Sequence, residues 1–148
     1  MTREEFISIL DKKGYSYEIQ GDKIVVIGGY VYLDALTSLP PGVKFKNEGD
    51  VWLQSLTSLP PGLVFENGGP VYLKSLTSLP PGVVFKNRGR VWLESLSSLS
   101  PGVVFSNEGD VKLNSLTGNW FSKWKGNIKG IDSKRLLNSM INKGVFER

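Results

Sequence analysis

The chain has 148 residues, a net charge of +4, 40% apolar residues, no cysteine and no histidine. That suits one domain with an ordinary core, and it excludes disulfides, thiolate metal sites and every Ser-His or Cys-His nucleophile pair. The opening MTREEF lacks the apolar run of a signal peptide and no stretch approaches a membrane span, so a cytoplasmic, reducing setting without membrane association is expected.

The charge is uneven along the chain. Residues 1–30 carry four basic and five acidic groups, residues 31–118 seven of each, and residues 119–148 seven basic and two acidic. The basic balance therefore belongs to the C-terminal segment.

Thr2-Arg3-Glu4-Glu5 fits a capping box, with a hydroxyl at the N-cap and a carboxylate three residues on. Phe6, Ile9 and Leu10 then share one helical face, and Gly14 is placed to stop the helix. YSYEIQ and KIVVIG flank Gly21-Asp22 and read as a tight hairpin. Residues 1–30 thus form an α-β-β cap.

From Val31 the chain repeats every twenty residues without insertion or deletion. The copies are Val31–Asp50, Val51–Pro70, Val71–Arg90 and Val91–Asp110, and Val111–Gly118 begins a fifth. A fixed period in this range means a solenoid, in which each lap buries its apolar face only when a neighbour stacks on it. The α-β-β cap covers the open end of its first lap. Within a lap, Val51, Leu53 and Ser55 alternate with Trp52 and Gln54, and Leu63, Phe65 and Asn67 alternate with Val64 and Glu66. Period two places the first set of each inward. Leu56 and Leu59 face in from a tight corner, Pro60-Pro61 is extended, and Gly62 supplies positive φ, as does Gly69 at the other corner.

The phrase LTSLPPG(L/V), at Leu56–Leu63 and Leu76–Val83, resembles the short leucine-rich repeats of bacterial effectors, and more closely the LTSLPxGL-type repeats of small bacterial and bacteriophage proteins. The resemblance covers residues 31–118. It implies a mainly β, leucine-rich-repeat-like β-solenoid of about 4.5 laps that binds another protein, in a bacterial or phage-infected cell. The asparagines follow the second strand rather than the first, which leaves a curved horseshoe and a flatter two-strand coil both open.

Residues 119–148 read as a second cap. Trp120, Phe121 and Trp124 offer apolar cover, and a helix capped at Asp132 or Ser133 carries Leu136, Leu137, Met140 and Ile141 on one side.

No catalytic constellation, phosphate loop, metal cluster or cofactor signature is present, so no enzyme and no cofactor are expected. Asp50, Glu66, Glu94, Glu108 and Asp110 are scattered over several columns, where opposite charges on adjacent laps stabilise the stack. The column Asn47, Asn67, Asn87, Asn107 reads as structural, its amides bonding to one another and to the corner backbone. The hydroxyls of Thr37, Thr57, Thr77 and Ser97 form a further column in a bent corner.

The column that asks for a function is Tyr32, Trp52, Tyr72, Trp92, ending in Lys112. It lies between two inward positions, so it points out. Such a stripe either buries itself ring on ring or forms a contact surface for a partner protein, with Gln54, Lys74 and Glu94 as its rim. Two alternatives come from other classes. Trp120, Lys123, Trp124, Lys125 and Lys129 interleave rings with positive charge, as a nucleic-acid contact does. A structural role is the other, in a virion or a homo-oligomer, with the stripe against a second copy. A carbohydrate stacked on the rings ranks below these.

Overall fold

The computed structural model describes residues 1–98 and 102–113. The chain starts with helix α1 (Arg3–Lys13), followed by the antiparallel pair β1 (Tyr17–Gln20) and β2 (Lys23–Val26). The Thr2 hydroxyl accepts from the Glu5 N–H at 3.1 Å, and Gly14 ends the helix at φ 75°. Phe6 and Leu10 are fully buried and close the end of the core.

The laps then alternate between two sheets. β3 (Val31–Tyr32), β5 (Val51–Trp52), β7 (Val71–Tyr72), β9 (Val91–Leu93) and β11 (Val111–Leu113) form one parallel sheet. β4 (Val43–Phe45), β6 (Val64–Phe65), β8 (Val84–Phe85) and β10 (Val104–Phe105) stack parallel on β2 to form the other. The described residues therefore form a mainly β, two-sheet solenoid of about four laps with one short N-terminal helix. The strands are two or three residues long because the corners interrupt every lap; stability comes from stacking rather than from any one strand.

Like residues stack on like throughout the core. Phe45, Phe65, Phe85 and Phe105 lie face to face with centroids 5.1–5.3 Å apart and planes within 5°. Val51, Leu53, Leu56, Leu59, Leu63 and their equivalents among the described residues are buried beside them. Ser55, placed inward by alternation, is exposed instead. The strand ends at Trp52, and the Leu56 N–H closes a turn onto the Leu53 carbonyl at 3.3 Å, so period two no longer applies at Ser55.

The two glycine columns work by different physics. Gly42, Gly62, Gly82 and Gly102 follow the prolines at φ between 78° and 88°, where other residues are strained. Gly69 and Gly89 are not in that region, which corrects the expectation for Gly69. They are glycine for want of space: a Cβ on Gly69 would lie 3.0 Å from the Gly49 carbonyl carbon, and one on Gly89 would lie 2.7 Å from that of Gly69.

The asparagines do not bond to one another either. The Asn67 Nδ2 donates to the Gly49 carbonyl of the lap below at 3.0 Å, and to Gly69 and Pro70 of its own lap at 2.9 and 3.3 Å. Asn47 and Asn87 repeat the pattern. The turn leaves carbonyls pointing into the corner, and a buried carbonyl needs a donor. The same arrangement leaves the Oδ1 of Asn47, Asn67 and Asn87 buried without a protein partner. Turning the amide over would put Oδ1 against the carbonyls, so the orientation is set by the donors.

The ion pair seen between laps is diagonal. Lys44 Nζ lies 3.2 Å from Glu66 Oε1, one lap away and two residues along from its register partner Val64. Both groups are about a quarter exposed, so the pair contributes on the order of 0.5 kcal/mol.

The cap and the laps meet with a shift of one residue. Val51 pairs with Val31 and Phe65 with Phe45, twenty apart, but Phe45 pairs with Val26, nineteen apart. The open edge of β3 is closed by a side chain. The Tyr15 hydroxyl accepts from the Tyr32 N–H at 3.0 Å and donates to the Tyr32 carbonyl at 3.2 Å, standing in for an absent strand. Tyr15→Phe is expected to lower stability by about 1 kcal/mol and to speed amide exchange at Tyr32. Urea unfolding and hydrogen exchange check this.

Candidate functional site

The outward side of the β3–β5–β7–β9–β11 sheet carries three columns. Asp50, Pro70, Arg90 and Asp110 immediately precede the strands. Tyr32, Trp52, Tyr72, Trp92 and Lys112 form the middle column, and Asp34, Gln54, Lys74 and Glu94 follow. Each middle residue sits between two buried ones, such as Val51 and Leu53 around Trp52, and that holds its side chain outward.

The rings form a ladder in register. Trp52 and Tyr72 stack with centroids 4.0 Å apart and planes 20° apart. Tyr72 and Trp92 are 6.1 Å and 12° apart, and Tyr32 is tilted 43° from Trp52 at 6.0 Å. Stacking half-buries Trp52, Tyr72 and Trp92, whereas Tyr32 at the end is 49% exposed. The ring-on-ring burial raised by the sequence is thus present, and it is partial. The rings cover one another's faces, and their edges remain outward as a continuous apolar line.

Charges frame this line. The Arg90 guanidinium lies 5.9 Å from the Trp92 ring centroid, within cation–π range. Asp34 raises the pKa of the Tyr32 phenol above its ordinary value, chiefly through its charge. The Tyr72 phenol is raised first by burial and next by the Asp50 charge, while Arg90 acts in the opposite sense. Asp50 and Arg90 therefore flank the central lap from opposite sides.

The rim residues differ in what they do. The Asp34 carboxylate accepts from the Gln54 N–H at 2.8 Å, and the Gln54 side-chain oxygen accepts from the Lys74 N–H at 3.0 Å. Gln54 thus serves the scaffold with its oxygen. Lys74 is exposed, and Glu94 is half-buried. The hydroxyl column is also tied to the backbone, Thr57 donating to the Thr37 carbonyl and Ser97 to that of Thr77.

One residue that alternation did not single out belongs here. Tyr30 is 68% exposed and stands one lap below Asp50, at the foot of the column beside the rings. Its signal was the twenty-residue offset, which reaches one position into the segment read as cap.

Trp120, Lys123, Trp124, Lys125 and Lys129, with the rest of the C-terminal cap, lie outside the described residues. Among the described residues no cluster of acidic side chains could hold a metal ion, and no helix is long and apolar enough to cross a membrane. A hollow on the opposite sheet, lined by Lys46, Glu48, Glu66 and Arg88, mixes both signs of charge. Comparison with known proteins finds no matching family model, no matching curated protein and no matching solved structure.

Proposed function

We propose that the chain is a non-enzymatic repeat protein, of the short leucine-rich-repeat kind found in bacteria and bacteriophages, that binds a partner protein along its aromatic line. The observation that supports this reading is the outward ladder from Tyr32 to Trp92, whose ring edges form one continuous strip over four laps. Tyrosine and tryptophan are the side chains that anchor protein interfaces, because each offers a rigid apolar body and a polar tip. A sugar would need a free ring face, and at Trp52 and Tyr72 the facing surfaces are stacked on each other.

The test is Trp52→Ala with Trp92→Ala. Neither ring belongs to the buried core, so the double variant is expected to keep its far-ultraviolet spectrum and to lose only about 1–3 kcal/mol of stability from unstacking. It is expected to lose the protein that the wild-type chain retains from bacterial lysate, identified by mass spectrometry. Equal retention by the folded double variant would rule the strip out as the contact surface.

A further inference from the structure

We propose that the occupant of this face is the same face of a second copy of the chain, with the laps of the two copies running in opposite order about an axis through Tyr72. The inference rests on the strip being a protein contact and names the partner.

The order of side chains carries it. From the first lap to the fifth, the column before the strands reads Tyr30, Asp50, Pro70, Arg90, Asp110, and the middle column reads Tyr32, Trp52, Tyr72, Trp92, Lys112. Reversed on itself, the first column sets Asp50 against Arg90 twice, Tyr30 against Asp110 twice, and neutral Pro70 against Pro70. The middle column sets Trp52 against Trp92, Tyr72 against Tyr72, and Tyr32 against Lys112. Each meeting in these two columns is an opposite-charge pair, an apolar pair, or a tyrosine with a charged group. A two-fold interface requires this kind of self-complementarity.

The third column sets Gln54 against Glu94 and leaves one like-charge meeting, Lys74 with Lys74. Lys74 is exposed, and its long stem can carry the ammonium aside into water. With laps running the same way, Arg90 would meet Glu94, but Asp50 would meet only Gln54 and have no charged counterpart, so an effect of Asp50→Arg rescued by Arg90→Asp separates the two arrangements. Within one chain Asp50 and Arg90 are two laps apart, about 10 Å at the usual strand spacing, with Pro70 between them. The Asp50 carboxylate lies beside Gly69 of the next lap and the Arg90 guanidinium over Trp92, so the two stand on either side of Tyr72 without meeting each other.

The face spans five laps of short strands, at the low end of stable interface sizes. The dimer is therefore expected to be weak, with a dissociation constant on the order of tens of micromolar.

Charge reversal tests it while leaving the backbone bonds between laps in place. Asp50 and Arg90 hold the laps together through their backbone carbonyls, which accept from Val31 N–H at 2.8 Å and Val71 N–H at 2.9 Å, and these survive substitution. Sedimentation velocity over a range of concentrations is expected to show a monomer–dimer equilibrium for the wild-type chain. Asp50→Arg alone and Arg90→Asp alone are each expected to weaken it by about tenfold or more, and the double variant to restore it. Circular dichroism confirms that each variant is folded. Single reversals without effect, or a folded double variant that stays monomeric, would overturn the pairing. A monomeric wild-type chain whose strip still retains a different protein would overturn it too, while leaving the parent reading in place. A monomer that retains nothing would overturn both.

Discussion

Replacing Asn67 with alanine is expected to lower stability by about 2–4 kcal/mol, far more than the loss of a surface amide. Asn67 is fully buried, and its Nδ2 is the donor for the carbonyls of Gly49, Gly69 and Pro70. Alanine removes all three donations at once, leaving Gly49 only the amide of Asn47, Gly69 only that of Asn87 and Pro70 only the Val51 N–H, and it empties a closed, fully buried corner. Gly49 belongs to the lap below, so the seam between laps weakens along with the corner itself.

Asn67→Asp separates donation from packing. The carboxylate fits the same space but turns acceptor oxygens toward three carbonyls. At neutral pH it is expected to be at least as harmful as alanine. Burial and the facing carbonyls raise its folded-state pKa above the unfolded one, so the folded chain holds the proton more tightly. Stability should then recover as pH falls toward and below the ordinary carboxylate range, the reverse of what a salt-bridged carboxylate shows. Urea unfolding at two pH values checks this. An aspartate variant as stable as wild type at neutral pH would remove donation from the account of this column.

Gly89→Ala is expected to cost about 3 kcal/mol or more, whereas Gly62→Ala costs about 1 kcal/mol. The added carbon at Gly89 would stand 2.7 Å from the Gly69 carbonyl carbon and 2.8 Å from the Pro70 Cα, which are backbone atoms that cannot turn aside. At Gly62 nothing lies within 4 Å, and only the positive φ resists. The two substitutions add the same atom, so the difference in urea midpoint measures how tightly one lap presses on the next. Equal losses would mean that the laps have room to separate.

These cases show what was legible in the sequence and what was not. The period of twenty, the helix cap at Thr2, the hairpin and the inward Leu63, Phe65 and Asn67 follow from spacing and alternation, which are local rules. Ser55 escaped because alternation holds only while the strand lasts, and nothing at that position says that the strand has ended. Gly69 escaped because its glycine answers to a contact with a different lap, and local reasoning sees only the dihedral. The asparagine column was placed inward and its bonds to the corner backbone were expected, but the amide-to-amide bonds expected beside them are not made. A ladder of like amides is the simplest pairing in one dimension, and the carbonyls that claim Nδ2 come from the corner's three-dimensional course. At the candidate site, the outward position of the rings was legible. Their overlap, the scaffolding role of Gln54 and the exposure of Tyr30 depend on side-chain conformation, which the text of a sequence does not carry.

The one-residue offset between β2 and β4 has a consequence for how such a chain can lengthen over evolution. Copying a full twenty-residue block anywhere in the array preserves every seam, because each seam there is identical. Copying the hairpin would not, since its junction is cut to a different length and would turn the inherited ladder by one side chain, apolar face outward. Growth by duplication is thereby confined to the array, and the foundation stays single.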